Sequence, residues 1–319
     1  MALAVVASRN YSEKARTSQR IFEGAQSSVE YDFKMGLGSK LNSDVGTNMA
    51  APAGVARLSA PGRASGRGAI EDAAALLASA RLSLQKLVGL PDAIRPRDVE
   101  AALEVQRTVG LLLKERIAGW KCALPSPGKV IIAPIYSGVV AEGLRWRLPT
   151  LGPTARLEPE VAVTLVRDLP PRNIPYDEAD VVDSVGSVRL ALELLDCRYV
   201  SPERVSFEEL LADGLFNAGL FLGPEVDGGL ARDFGRTQIS LEVGGSSVQS
   251  LEGRHPDGNP VIPLHWLVNT LRERGAGLER GQVVITGSYA GVIEVPANAK
   301  LRIGFGGLGT IAVQLSSEE

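Results

Sequence analysis

The chain has 319 residues, a formal net charge of -3 and a pI near 5.7. That balance offers no broad electropositive field, so nucleic acid is not an expected partner. No apolar run reaches the roughly 18 residues that span a bilayer, and the expected setting is cytoplasmic, away from membranes.

Residues 1–68 are mostly small and polar, and APAGVARLSAPGRASGRG sustains no apolar period. They are expected to be a poorly ordered extension. Arg9, Lys14, Arg16 and Arg20 suggest an organelle address, but Glu13, Glu23, Glu30 and Asp32 argue against it, because transit peptides avoid acids. One catalytic domain is expected over 69–319. IEDAAALLASARLSLQKL predicts a helix over 70–87 from its strong helix formers. A second helix is expected from about Arg97 to Ile117, with Val99, Leu103, Val109, Leu112 and Leu113 on one stripe and Gly119 as its breaker.

From Trp120 the character changes. VIIAPIYSGVV, EVAVTLV, VRLALELL, TQISLEV, QVVITGSYAGVIEV and KLRIGFGGLGTIAVQL are β-branched or alternating, with Gly, Pro and Asn between them. Two helices interrupt these strands: YDEADVVDSVGS, capped by Asp177, and PLHWLVNTLRERG, ending at Gly275 with basic residues in its last turn. Helices first and strands afterwards describe an α+β fold rather than an alternating β/α array. GFGGLG (304–309) fits a dinucleotide-loop pattern, but only ten residues follow it and TIAVQL is a strand. With no helix to receive a pyrophosphate, the glycines serve a bend between strands.

Two cysteines, Cys122 and Cys197, are expected as free thiols, and two histidines, His255 and His265, are too few for a multi-histidine zinc site. The carboxylates are more informative. Glu158 and Glu160 flank Pro159 at the head of a strand, where residues i and i+2 share a face. Two such acids repel unless a cation sits between them, and a hard divalent ion suits their oxygens; the alternative is a solvent-facing acidic pair. Glu193 lies among Leu192, Leu194 and Leu195, so its charge needs a partner: an ion, or a structural pair with Arg198, which could instead pair with Asp196. Lys121, beside Trp120, is either a partly desolvated acid–base group or a snorkelling surface lysine.

GWKCALPS resembles G-x-K-x-G-L-T-S, APIYSGVV resembles P-x-[YF]-G-x-L, LEPEVAVTL resembles E-x-E-[IV]-A-[FV]-x-L, and ALELLDCRY resembles A-L-E-[IV]-x-D-S-R. GLFLG and the run from GNPVIPLHWLVNTL to GLGTIAVQL follow in the same order. Across residues 70–315 the chain thereby resembles the 2-keto-4-pentenoate hydratase and 4-oxalocrotonate decarboxylase family. The resemblance implies a fumarylacetoacetase C-terminal-like fold, a mixed β-sandwich roll with flanking helices. It implies Mg²⁺ or Mn²⁺ held by Glu158, Glu160 and Glu193, with Lys121 catalytic, Ser126 and Tyr136 at the substrate, and Asp196 and Arg198 supporting the ligands. The implied partners are a small 2-oxo or 2-hydroxydienoate acid and further copies of the chain.

Three departures stand out. Pro125 replaces the motif's threonine, Ile135 stands where hydratases carry an acid and decarboxylases an apolar residue, and ADGLFNAG replaces A-D-N-A-S-S-G, displacing Asn217. The competing functions are a C–C hydrolase of acylpyruvates, which needs a His–Glu pair, and a catalytically silent paralogue that serves assembly.

Overall fold

The computed structural model describes residues 66–149 and 152–317. The expected extension lies outside them, apart from its last residues. Arg67 and Gly68 belong to the first helix, α1 (Arg67–Ser83), where Arg67 reaches Glu71 one turn on. The helix stops four residues before its expected end, because Leu84 adopts a left-handed conformation at φ 56°. The chain then runs extended, and Leu87 bridges to Tyr199. Helix α2 (Val99–Leu113) is also shorter than expected. Asp98 caps it by accepting from Ala101 N at 2.8 Å, and left-handed Lys114 (φ 55°) ends it.

The strands follow as β1 (Ile117–Ser126), β2 (Lys129–Tyr136), β3 (Val140–Glu142), β4 (Arg145–Leu148) and β5 (Thr154–Leu165). The short helix α3 (Glu178–Val182), capped by Asp177 as expected, gives way to β6 (Val185–Leu195), which takes in Val185, Gly186 and Ser187 from the expected helix. Then come α4 (Phe207–Ala212), β7 (Asn217–Glu225), β8 (Arg236–Val243), β9 (Ser246–Arg254), α5 (Val261–Glu273), β10 (Val283–Ile285), β11 (Ile293–Pro296), β12 (Lys300–Phe305) and β13 (Thr310–Ser317). The expected strand QVVITGSYAGVIEV is two strands, β10 and β11, with a loop between them. GFGGLG closes β12 and passes through a single 3₁₀ turn, Gly306–Leu308, into antiparallel β13. Helix α4 was not predicted, although Ser206 and Glu209 form a reciprocal capping box at its start.

One sheet has eight strands in the order β2-β1-β10-β5-β6-β7-β3, with β11 also pairing to β5; the other has five, in the order β4-β13-β12-β8-β9. Both mix parallel and antiparallel pairs. Odd-numbered residues of β5 point to one face. There Leu157 and Val161 join Trp146, Phe305 and Leu315 in the core between the sheets, while Val163 and Leu165 join Leu264 and Leu267 of α5. On the opposite face Ala162 and Ala191 pack with Ile135, Leu220, Val283 and Ile285. β2 comes back into contact with β7, so that face lines the inside of a roll. Gly119 is no helix breaker. It lies in β1, and a Cβ there would stand 2.2 Å from the Val283 carbonyl, so glycine allows β1 to approach β10.

Candidate active site

The polar residues of the inner face meet near its middle. Glu158 and Glu193 are direct cross-strand partners on β5 and β6, and Glu160 follows Glu158 at the two-residue period. Carboxylate oxygens of the three lie within 4.8 Å of one another. Glu193 is fully buried and Glu160 is 2% exposed. Lys121 on β1 reaches across the roll, its Nζ 2.9 Å from each Glu193 oxygen and 3.1 Å from the Leu215 carbonyl.

One ammonium stands against three carboxylates in a desolvated place. Burial pushes the Glu158 carboxyl up to about 7, with Glu193 adding to the shift, and pushes Glu160 well above the usual carboxylate range, with Glu193 and Glu158 adding. Burial pulls Lys121 down, but Glu193 and Glu158 outweigh it and the net shift is upward. The glutamates decide the sign, and Lys121 carries its proton at neutral pH. The donor set therefore fits a hard divalent cation in two respects. Its ligands are all oxygens, and once ionised the three acids carry more negative charge than the lysine neutralises.

Hydrogen bonds fix two of the acids. Glu160 accepts from the Gly287 N–H at 2.7 Å. Gly287 has φ 124° and packs against Pro256, which would stand 2.5 Å from a Cβ at that position, so glycine is required to deliver this donor. Glu193 accepts from Asn217 Nδ2 at 2.7 Å. Neither structural ion pair considered for Glu193 or Asp196 with Arg198 forms. Arg198 pairs with Asp213, Nε to Oδ1 at 2.5 Å, and Asp196 pairs with Lys86 at the same distance. Arg198 touches the carboxylates only through Asn217, whose carbonyl accepts from both of its terminal nitrogens at 3.3 Å. Asp196 turns away, accepting from Cys197 N as well.

The two substrate residues suggested by the resemblance are not hydrogen-bond partners of the carboxylates. The Tyr136 hydroxyl is 3.4 Å from the Gln106 carbonyl, and its ring lies 5.5 Å from the Arg81 guanidinium, in the packing between helix and sheet. Ser126 stands five residues along β1 from Lys121, at the turn into β2, and its hydroxyl makes no hydrogen bond among the described residues. The backbone next to it is held: Leu124 N donates to Asp257 Oδ2 at 3.2 Å. Ile135 is fully buried on the same face as Lys121, whose cross-strand partner is Ala133. The histidines make no His–Glu pair among the described residues. His255 Nε2 is 2.9 Å from Thr286 Oγ1, and burial takes its pKa down to about 4. His265 Nε2 is 2.8 Å from the Tyr176 carbonyl. Both cysteines are free and buried.

Sequence reasoning missed Gly287, Asp257 and the Leu215 carbonyl, and noted Asn217 only as displaced. A backbone donor and a backbone acceptor leave no mark in residue types. The need of a buried Glu193 for a donor is the signal that points to Asn217.

No family model matches the chain. Among curated proteins it is similar to 2-keto-4-pentenoate hydratase of Paraburkholderia phymatum, 26% identical over 261 residues that cover 77% of this chain and 97% of the relative. The enzyme of the same name from Burkholderia vietnamiensis is 26% identical over 256 residues, 76% of this chain and 95% of the relative. The solved 4-oxalocrotonate decarboxylase from Pseudomonas putida G7, complexed with magnesium and adipate, matches with a TM-score of 0.66 at 18% identity, covering 78% of this chain and 97% of that one. The chain thus has hydratase homologues over nearly their whole length and shares an α+β fold with the decarboxylase. These curated homologues are hydratases, enzymes of the lyase kind.

Proposed function

We propose that the chain is a divalent-metal-dependent lyase of small 2-oxo or 2-hydroxydienoate acids, with Glu158, Glu160 and Glu193 as the ligands of Mg²⁺ or Mn²⁺. The observation that carries this reading is the convergence of three buried carboxylates, under-neutralised by the single Lys121, in a chain whose relatives are named hydratases. A bound dication would supply the electron sink for the carboxylate and 2-oxygen of such an acid.

The chain's own residues do the rest. Lys121 holds a proton at Nζ, aimed by the Leu215 carbonyl and Glu193, and is placed to return it to carbon when the enol becomes the 2-oxo acid. Gly287 and Asn217 orient Glu160 and Glu193. The apolar lining of Ile135, Ala162 and Ala191 keeps water from the reacting carbons.

That lining favours decarboxylation over hydration. Adding water to a dienoate calls for a polar group that guides it to the distal carbon, and the position at which hydratases carry an acid is Ile135. In the decarboxylation the bond to the departing carboxylate breaks, carbon dioxide leaves, its electron pair stays in the conjugated 2-oxo system, and Lys121 supplies the proton. The absence of a His–Glu pair among the described residues supports a lyase over an acylpyruvate hydrolase.

The test is turnover of 2-hydroxypenta-2,4-dienoate and of 2-oxo-3-hexenedioate with Mg²⁺ and with Mn²⁺. The expected result is carbon dioxide release from the second substrate, lost on chelation and faster than hydration of the first. A protein that binds Mn²⁺ and turns over neither acid would overturn the enzymatic reading in favour of a silent paralogue.

A further inference from the structure

The segment from Asp213 to Asn217 has an unusual backbone. Gly214, Leu215 and Phe216 take φ values of 90°, 51° and 68°, so three successive residues are left-handed and two of them carry side chains. Such residues are costly and persist where their surroundings hold them. This turn is held from both sides. Arg81 of α1 donates to the Asp213 carbonyl at 2.9 Å and to the Asn217 carbonyl at 3.4 Å. Arg198 donates to both the carboxylate and the carbonyl of Asp213, and to the Asn217 carbonyl. The Asp213 carboxylate also accepts from the Arg198 N–H at 2.9 Å, and the Phe216 carbonyl accepts from Asp196 N at 2.9 Å. Asp213 and Asn217 are 3% and 2% exposed, so these bonds form away from water, where a fork of fixed geometry is most constraining.

The consequence of the turn lies on its other side. The Leu215 carbonyl points at Lys121 Nζ, and the Asn217 carboxamide donates to Glu193.

We propose that Asp213, Arg81 and Arg198 form a clamp, and that the clamped turn positions the catalytic lysine and one metal ligand together through the Leu215 carbonyl and Asn217. Asn217 donates to Oε1 of Glu193 while Lys121 Nζ stands 2.9 Å from both of its oxygens, so the two together fix the rotation of the carboxylate beside Glu158 and Glu160. Without Asn217, the Glu193 carboxylate keeps only the ammonium as a partner and is free to rotate about it, away from the cation position. Arg81 touches neither Glu193 nor Lys121, so it acts only through the turn. The assignment rests on the metal-dependent reading above.

The test uses the full chain, titrated with Mn²⁺ alone by calorimetry and assayed with the substrates named above. Asn217→Ala should weaken Mn²⁺ binding by about 10- to 100-fold, the range for a group that orients a ligand, and lower kcat with KM little changed. Arg81→Lys keeps the charge and loses the fork; it should weaken Mn²⁺ several-fold. The double variant should be no worse than Asn217→Ala alone, because both changes act through one group. Wild-type Mn²⁺ affinity in Asn217→Ala would overturn the proposal, as would losses that multiply in the double variant. If Arg81→Lys fails to fold, Asn217→Ala decides alone. A wild type that binds Mn²⁺ but turns over nothing overturns the enzymatic reading while the titration still tests the clamp; a wild type that binds no Mn²⁺ overturns both.

Discussion

The carboxylate site has two walls built on opposite principles. The strand wall, β5 and β6 with Lys121 opposite, uses ordinary extended backbone, and its chemistry follows from a two-residue period and a cross-strand register. The turn wall, Asp213 to Asn217, uses backbone that side-chain-bearing residues avoid, and its chemistry comes from a carbonyl and a carboxamide that the strain aims. A ladder can place acids side by side on a sheet, but it cannot turn a carbonyl inward, since its carbonyls are spent along the ladder. The turn supplies what the ladder lacks.

The comparison breaks most severely at Asp213. Removing it leaves Arg198 buried without its carboxylate and Arg81 facing only carbonyls. Asp213→Ala should cost about 3–5 kcal/mol, the range for losing one partner of a buried pair, measured by denaturant unfolding. A cost below about 1 kcal/mol would mean that the turn wall is not clamped.

On the strand wall the same test separates ligand from acid. Glu160→Gln keeps the shape, and the Gly287 N–H still meets an oxygen. It should weaken Mn²⁺ by more than about 100-fold, beyond the range for groups behind the ligands, and activity should fall with it. Lys121→Met should lose about 100-fold or more in turnover, with Mn²⁺ affinity unchanged or tighter, because a cation beside Glu193 has gone. Equal turnover in wild type and Lys121→Met would remove the lysine from the chemistry.

How far each wall was legible follows from the same difference. Glu158, Glu160, Glu193 and Lys121 could be named from residue types because period and motif order carry them, and the structure places them together. The α+β order of elements was legible for the same reason. Tyr136 and Ser126 were carried over from motif position alone, and neither has a contact with the carboxylates among the described residues. Arg198 was assigned to support the site, but its partner, Asp213, lies 15 residues away across a helix that was not predicted. Helices α1 and α2 ended early because Leu84 and Lys114 adopt left-handed backbone without being glycine, and Leu215 and Phe216 hid the turn wall in the same way. Where glycine carries such a conformation the sequence shows it; where leucine, lysine or phenylalanine does, tertiary contacts decide.

The electrostatics of the strand wall give a smaller effect with a definite sign. The Glu158 carboxyl, pushed up to about 7 by burial and Glu193, binds a proton more tightly folded than unfolded. Without metal, its contribution to stability is present below its ordinary value near 4.5 and is lost as the pH rises through 7. Glu158→Gln imitates the neutral acid at every pH. The chelated wild type and variant should therefore melt alike near pH 4, and the variant should melt higher near pH 8. His255, held down to about 4 by burial, shifts both proteins equally and cancels in the difference. Mn²⁺ affinity of the wild type should move the other way, rising through pH 7, because the ion needs ionised ligands. A melting difference that is flat from pH 4 to 8 would show that the carboxylates are not electrostatically frustrated.

The smallest effect sharpens the comparison most. Lys114 (φ 55°) shares the left-handed conformation of Leu215 and Phe216 but is exposed, at the end of α2. Glycine relieves the steric cost of that conformation, about 1–2 kcal/mol, and gives back about 0.5–1 kcal/mol in chain entropy. Lys114→Gly should thus gain up to about 1.5 kcal/mol, at about 2–4 °C in melting temperature per kcal/mol for a domain of this size, with turnover and Mn²⁺ affinity unchanged. Phe216→Gly relieves the same strain but frees a turn whose rigidity aims the Leu215 carbonyl and Asn217, and it removes a ring that packs beside α4. It should lose turnover per folded molecule as well as stability. If both glycine variants keep wild-type turnover, left-handed backbone in this protein is only a way of ending elements. If only Lys114→Gly does, the strain at 215 and 216 is part of the site.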